Sequence, residues 1–246
     1  MGTNIYSTPL KVALFIPCYV DQLYPETGIA TLQLLEKLGC EIHYQQNQTC
    51  CGQPMANSGF QHLTKDLDQQ NQSYFEDFEY VICPSGSCTL HLKEHVFEGK
   101  TKVYELCEFL TDVLKMESLE AKFPFKVGLH QSCHGLRGLQ LAKSSELVSD
   151  RFSKIEPLLN MVEGLVISYP AKIDECCGFG GTFCVSEEAV SAKMGQDKAA
   201  EFEAENVDVI TSADMSCLMH IDGVLKRKKS KIKVMHIAEI LNGAVL

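Results

Sequence analysis

The run Lys11-Val-Ala-Leu-Phe-Ile-Pro-Cys18 returns in the second half of the chain as Lys126-Val-Gly-Leu-His-Gln-Ser-Cys133. Each copy is a short apolar stretch ending in a cysteine, the pattern of a buried parallel strand with a thiol just past its carboxyl end. Three further landmarks repeat in the same order. Cys50-Cys51-Gly52 matches Cys176-Cys177-Gly178. Tyr80-Val-Ile-Cys-Pro-Ser-Gly-Ser-Cys88 matches Val207-Asp-Val-Ile-Thr-Ser-Ala-Asp-Met-Ser-Cys217. Lys102-Val-Tyr-Glu-Leu-Cys-Glu-Phe-Leu110 matches Lys233-Val-Met-His-Ile-Ala-Glu-Ile-Leu241. Eight of the twelve cysteines fall at matched positions: Cys18 with Cys133, Cys50 with Cys176, Cys51 with Cys177, and Cys88 with Cys217. Cysteines needed only for packing have no reason to recur in register, so the chain reads as one built around metal.

Between the landmarks, short β-branched runs alternate with helical stretches, which predicts an α/β fold with parallel sheets. Strands are expected at 12–16, 41–44, 80–83 and 103–104, and again at 127–130, 164–168, 207–211 and 234–236. A helix over 27–38 is expected to bury Ile29, Leu32, Leu35 and Leu38 and to stop at Gly39; an exposed helix is expected over 187–205. The fold class is therefore a tandem duplication of a small parallel-sheet cysteine-rich domain with pseudo-twofold symmetry. The domains are 1–120 and 121–246, units of ordinary size, joined in the charged stretch 115–126 that contains Pro124. Open parallel sheets form their sites at the carboxyl ends of strands. Helices expected directly after Cys88 and Cys217 would aim their positive dipole ends at thiolates.

Composition narrows the function. A net charge of −10 and a pI near 5.3 argue against nucleic acid, which requires a basic surface. The one basic run, Lys226-Arg-Lys-Lys-Ser-Lys-Ile-Lys233, reads as a solvated helix end. The first ten residues carry no positively charged leader pattern, Tyr6 breaks the myristoylation motif, and the apolar run from Val12 to Pro17 is far too short to span a bilayer. A cytoplasmic protein with reduced thiols is expected, in which cysteines serve metal binding or catalysis and not a disulfide framework.

Adjacent cysteines in an extended strand point to opposite faces and cannot share a site. They need a turn, and Gly52 and Gly178 supply residues able to take positive φ. Such turns expose backbone amides that can hydrogen-bond an anionic group. Cys177-Gly-Phe-Gly-Gly-Thr182 lacks the full dinucleotide-loop spacing, so its glycines read as room for a bulky cluster. Four thiolates per half suit either tetrahedral zinc or an iron–sulfur cluster. The chain has no C-x-x-C knuckles, and cysteines converging from three loops favour iron–sulfur, more so in the second half. Cys40 and Cys107 fit ordinary core positions; Cys83 and Cys184 lie near the two sets and are candidate fifth ligands. His91-Leu-Lys-Glu-His95 matches a zinc-peptidase pattern but has no accompanying catalytic context. His91 and its counterpart His220 read as surface residues or residues behind the ligands. His130, His134 and Arg137 flank Cys133 and could balance cluster charge or meet a carboxylate.

These motifs resemble those of the tandem cysteine-rich "CCG" iron–sulfur oxidoreductases, the group that includes the cysteine-rich subunit of heterodisulfide reductase and the iron–sulfur subunit of glycolate oxidase. The stretches that carry the resemblance are Pro17-Cys-Tyr-Val-Asp-Gln-Leu-Tyr-Pro-Glu26, Gln48-Thr-Cys-Cys-Gly-Gln-Pro-Met-Ala-Asn-Ser-Gly59, Pro84-Ser-Gly-Ser-Cys88, Ser132-Cys-His-Gly-Leu-Arg137 and Cys176-Cys-Gly-Phe-Gly-Gly-Thr-Phe183, and the lactate-utilisation branch matches best. The resemblance implies an iron–sulfur subunit of a cytoplasmic complex oxidising L-lactate to pyruvate. It implies a [4Fe-4S] cluster, one or two, on Cys18, Cys50, Cys51, Cys88, Cys133, Cys176, Cys177 and Cys217. The implied partners are a ferredoxin-like iron–sulfur protein and a small third protein. A zinc-holding structural subunit, or glycolate as substrate, is the alternative. The heterodisulfide reductase subunit has a fifth cysteine per site where this chain has Ser85 and Asp214, so the resemblance favours four-cysteine clusters over the non-cubane type.

Overall fold

The computed structural model describes residues 9–99 and 101–246, so most of the N-terminal stretch read for a leader lies outside the described residues. The first half runs β1 (Lys11–Leu14), α1 (Cys18–Leu23), α2 (Pro25–Lys37), β2 (Glu41–Tyr44), α3 (Gln53–Asn57), α4 (Lys65–Phe75), β3 (Tyr80–Cys83), α5 (Gly86–His91), β4 (Lys102–Glu105) and α6 (Leu106–Glu108). The second runs β5 (Lys126–Leu129), α7 (Ile155–Asn160), β6 (Val166–Ser168), α8 (Phe183–Ser186), α9 (Glu188–Ala204), β7 (Val209–Ser212), α10 (Met215–Lys228), β8 (Lys233–His236) and α11 (Ile237–Leu241). Each half forms a four-stranded, all-parallel sheet, in the order β2-β1-β3-β4 and β6-β5-β7-β8. The tandem duplication expected from the sequence is the architecture observed.

In both sheets the chain moves to one side of its first strand for the second, then crosses to the other side for the third. The order therefore reverses between β1 and β3, and between β5 and β7. Ligands of open α/β sheets bind at such switch points, beyond the carboxyl ends of the strands. Cys18 and Cys88 follow the two strands flanking the first switch point; Cys133 and Cys217 follow those flanking the second.

Period-two alternation sorts the side chains of β1. Val12 and Leu14 enter a large core shared by both halves, whereas Ala13 and Phe15 enter a separate core with Phe75, Val81, Leu92 and Phe97. Each fully buried Leu or Phe is worth roughly 1.5–3 kcal/mol. The shared core, which joins Leu106, Phe109 and Leu110 to Ile155, Leu158 and Leu159, therefore ties the halves together. In β5 the position of Ala13 is taken by Gly128, because Phe202 lies where a Cβ would come within 2.6 Å of its ring.

The symmetry axis can be placed at the residue level. Ser85 and Asp214, each three residues before a landmark cysteine, form an antiparallel bridge, and the Gly86 amide donates to the Ala213 carbonyl at 3.2 Å. Pairing of equivalent residues in antiparallel sense is what a local twofold produces. The same symmetry governs the periphery. Helix α11 packs on α2, where Thr27 Oγ1 donates to Glu239 Oε1 at 2.7 Å and Lys37 Nζ to Asn242 Oδ1 at 2.6 Å. Reciprocally, the wide π-type turn Phe109–Val113 reaches the start of α7, where Thr111 Oγ1 donates to the Lys154 carbonyl at 3.2 Å and Asp112 pairs with Lys154 at 2.5 Å.

Two local expectations are corrected. Helix α2 buries Thr27, Ala30, Thr31, Leu34 and Leu35, while Ile29 is 52% exposed. Small residues face inward because the helix lies close to the strand end: a Cβ on Gly28 would already touch Ile16 at 3.4 Å. Helices α5 and α10 begin two residues before Cys88 and Cys217, so these cysteines lie within the first turn. Ser85 and Asp214 are the caps, accepting from the Cys88 and Ser216 amides respectively. The basic run behaves as a helix end: Lys226 pairs with Asp222 at 2.6 Å, Lys228 pairs with Glu203, and Lys229 closes α10 in the left-handed region.

Candidate metal centres

Each set of four matched cysteines is assembled by the same three devices. The first cysteine follows the first strand: Cys18 opens α1 and is exposed, and Cys133 leads into the π-type turn His134–Gly138 and is half-buried. The vicinal pair sits in a turn whose glycine has a φ of 94° at Gly52 and 93° at Gly178. In each turn the glycine amide donates to the sulfur of the first cysteine, at 3.4 Å to Cys50 and 3.4 Å to Cys176. The fourth cysteine, Cys88 or Cys217, is buried in the first turn of a helix.

The helix before the third strand locks each turn from outside. Thr64 and Leu67 lie against Gly52, and Ser191 and Met194 lie against Gly178, with the Ser191 hydroxyl donating to the Gly178 carbonyl at 2.8 Å. A Cβ on Gly178 would meet the Ser191 carbonyl oxygen at 2.8 Å, so glycine is required there by space as well as by φ. One turn further along α4, buried Asn71 donates to the Cys50 carbonyl at 3.0 Å. Its counterpart in α9 is Lys198, fully buried, which donates to the Lys172 carbonyl at 2.7 Å and pairs with Glu201 at 2.9 Å. Sequence inspection missed this fifth repeat because the helices share a spacing from Phe75 and Phe202 and little residue identity.

The thiols of each set hydrogen-bond in a chain of the same order: Cys18–Cys50–Cys51–Cys88 and Cys133–Cys176–Cys177–Cys217. Hydrogen bonds from Cys18 and Cys51, then from the Gly52 amide, pull the Cys50 thiol far below its ordinary range; Cys133, Cys177 and the Gly178 amide do the same for Cys176. Cys18, Cys51, Cys133 and Cys177 are pushed up, because each already shares its proton with that thiolate and is itself desolvated. Each set thus holds one thiolate readily and resists further ionisation. A cation removes that resistance, since thiols deprotonate outright when they coordinate metal. The donor chemistry therefore fits a bound metal group.

The remaining candidates separate. Cys83 is buried against Cys88, with its sulfur 3.9 Å from the Ser85 carbonyl. Cys184 turns away and donates to the Gly181 carbonyl at 3.2 Å. Cys40 and Cys107 lie in the shared core. His91 is buried against the Gly52 turn and His95 faces the exposed Glu94 at 3.9 Å, so the peptidase-like pattern assembles no site of its own. His220 bonds the Ser191 carbonyl at 3.2 Å. His134 Nδ1 lies 3.8 Å from Cys133 Sγ, while Arg137 is committed to Glu146 at 3.0 Å and the Asp174 carbonyl at 3.3 Å. His130 Nδ1 or Nε2, Cys177 Sγ and Cys217 Sγ lie mutually within 4.8 Å, the one such trio of donors among the described residues.

A buried polar cluster sits on the twofold axis between the two sets. Asp214 accepts from the Ser87 amide at 2.7 Å, the Ser216 amide at 3.2 Å, the Ser216 hydroxyl at 2.7 Å, Ser85 at 3.3 Å and the Tyr19 hydroxyl at 3.2 Å. One carboxylate thus reaches the first turns of both α5 and α10, the helices that carry Cys88 and Cys217.

Two parallel sheets, each with a vicinal-cysteine turn at its switch point, define a tandem cysteine-rich domain protein. The cysteine-rich domain family designated CCG matches this chain twice, at residues 12–93 and 127–222. At full length the chain is similar to lactate utilization protein A from Geobacillus sp., 42% identical across 95% of this chain and 99% of that protein. It is similarly related to lactate utilization protein A from Exiguobacterium sp. (40% identical; 96% of this chain, 98% of that protein) and from Bacillus subtilis (40% identical; 95% and 99%). The chain belongs to the lactate utilization protein A family of CCG-domain proteins. Among solved structures, glutamate racemase RacE1 from Bacillus anthracis aligns over 96% of this chain and 80% of that one, at 10% identity and a TM-score of 0.38, too remote to bear on function.

Proposed function

We propose that this chain is the iron–sulfur subunit of an L-lactate-oxidising complex, holding one or two clusters through Cys18, Cys50, Cys51 and Cys88 and through Cys133, Cys176, Cys177 and Cys217. The observation that carries the reading is the pair of four-thiol chains, identical in order, at the two switch points of a chain whose relatives are named for lactate utilization. A cluster, when bound, supplies one-electron exchange. The residues of the chain do the rest. The Gly52 and Gly178 amides donate to ligand sulfurs, which favours the reduced, more negative state. Cys88 and Cys217 lie in the first turns of α5 and α10; against a lowering hydrogen bond from Cys51 or Cys177, burial and the nearby Asp214 carboxylate hold both thiols above their ordinary range, so they ionise on coordinating the metal group. Burial of Cys51, Cys88, Cys177 and Cys217 keeps water from the inner side of each set, while exposed Cys18 and half-buried Cys133 mark the side from which an electron partner would approach.

In this reading the partners are a ferredoxin-like iron–sulfur subunit and a small third subunit, and the setting is the cytoplasm. Among the described residues no helix is long and apolar enough to cross a membrane. The test is iron, sulfide and zinc analysis of protein purified without oxygen, together with its visible spectrum before and after dithionite. Iron and sulfide in equal amounts with bleachable absorbance are expected. Stoichiometric zinc without iron would replace the redox reading with a scaffold role.

A further inference from the structure

The two copies of the first landmark differ most sharply at one position: Phe15 in the first, His130 in the second. Their backbones are equivalent, the Phe15 amide donating to Ile82 at 2.9 Å and the His130 amide to Thr211 at 2.8 Å. Phe15 is at home there, its ring 5.6 Å from that of Phe75 in an apolar core. His130 is fully buried in the same place, and neither ring nitrogen has a hydrogen-bond partner. Buried polar groups left unpartnered forfeit the hydrogen bonds that water would give them in the unfolded chain. A buried imidazole where an apolar ring would serve therefore needs a partner of another kind.

The atoms nearby identify the partner. A ring nitrogen, Cys177 Sγ and Cys217 Sγ lie mutually within 4.8 Å, close enough for one metal atom to be shared among them. Lys198 is anchored by Glu201 and the Lys172 carbonyl and cannot itself satisfy the ring.

We infer that His130 is a nitrogen ligand of the metal group in the second half, giving that centre a mixed imidazole–thiolate donor set. This rests on the reading that the second cysteine set holds metal. The shared chemistry, a transition-metal atom accepting one imidazole and thiolates, has two sources: a mononuclear tetrahedral ion such as zinc, or one iron of an iron–sulfur cluster. In the second case a neutral ligand raises the reduction potential relative to an all-thiolate centre, as replacement of cysteine by histidine does in other iron–sulfur proteins.

The experiment uses the full-length chain purified anaerobically from cells fed 15N-histidine or unlabelled histidine. X-ray absorption at the iron and zinc edges and pulsed EPR of the reduced protein report nitrogen bound to metal. Expected is one histidine nitrogen, on iron or on zinc according to source, that disappears in His130→Phe. That variant installs the residue the first half already uses. His130→Asn provides a second variant if the first fails to fold, as judged by circular dichroism. Cobalt(II) added to the metal-free chain should bind the second set more weakly in either variant, with loss of the nitrogen-dependent shift in its visible bands. All-sulfur coordination in the wild type, or unchanged affinity and nitrogen signal in folded variants, overturns the inference while leaving metal binding intact. Metal content that survives Cys177→Ser undiminished overturns the metal reading of the second half, and the inference with it.

Discussion

The first half closes the space behind its cysteine set with Phe15, Phe75, Leu92 and Phe97, whereas the second half places His130 and Lys198 there and widens its turn with Gly178, Gly180 and Gly181. The strands, the glycine amides on sulfur and the order of the thiols are the same in both. What has diverged is the layer of side chains around the sulfurs: Phe15 against His130, Asn71 against Lys198 and Ser85 against Asp214. The comparison teaches that the geometry of a four-thiol set and the electrostatics of its surroundings are separable. Backbone φ and helix ends fix the first, and a few buried residues set the second.

The largest expected effect tests which half carries the redox group. Cys177→Ser should remove most of the dithionite-bleachable absorbance and the lactate-dependent electron transfer of the reconstituted complex, while Cys51→Ser removes the smaller share. Cys40→Ser, in the shared core and outside both sets, should change neither. Iron content and activity unaffected by Cys177→Ser but abolished by Cys51→Ser would reverse the comparison.

Next in size is the contrast on the axis. Asp214 accepts five hydrogen bonds from both halves, so Asp214→Ala should lower stability by about 3–4 kcal/mol in urea unfolding, through several stranded buried donors and a lost cap. Its counterpart Ser85 caps α5 and contributes to the cluster only a single hydroxyl, which meets Tyr19, Ser87 and Asp214, and Ser85→Ala should cost about 1 kcal/mol. Equal losses would show that the cluster is not organised by Asp214.

The smallest effect concerns the caps after β4 and β8. Glu105 and His236 occupy equivalent positions, each fully buried and each closing a capping box with Glu108 or Glu239. Burial raises the Glu105 pKa to about 8 and lowers that of His236 to about 4. Between pH 4.5 and 8 the unfolded chain has lost the Glu105 proton that the native state keeps, so this residue makes stability fall as pH rises. Between pH 6.5 and 4 the unfolded chain takes up a proton that native His236 refuses, so this residue makes stability fall as pH drops. Each slope is at most roughly 1.4 kcal/mol per pH unit. Comparing Glu105→Gln and His236→Gln with the parent chain across about pH 4–8 should remove one slope each, of opposite sign. Slopes of the same sign would refute the assignment.

Much of this architecture is legible in the sequence. The eight strands lie within about two residues of the expected positions, because short apolar runs before cysteines have few other uses in an α/β chain. The face of α2 is not legible in the same way: Ile29 and Leu32 suggest an apolar stripe, but close packing against Ile16 and α11 selects the small residues Thr27, Ala30 and Thr31 instead. Helices α5 and α10 start earlier than the cysteine landmarks suggest, because Ser85 and Asp214, ordinary capping residues, stand three positions ahead of Cys88 and Cys217. The axial cluster is invisible in the sequence for a different reason. Tyr19, Ser85 and Asp214 belong to distant segments, and only the twofold brings them together.

The reciprocal packing of the halves has a consequence for how the chain comes to be folded. The helix between the first two strands of each half is covered by the terminal helix or turn of the other: α2 by α11, and α7 by the Phe109–Val113 segment. Neither repeat covers this face of the helix with its own residues, so each half depends on the other to complete that wall. In the present chain the final contacts on α2 come from α11, which leaves the ribosome after every other element of the two repeats. Until it does, the α2 surface that carries Thr27 and Lys37 has no cover from its own repeat.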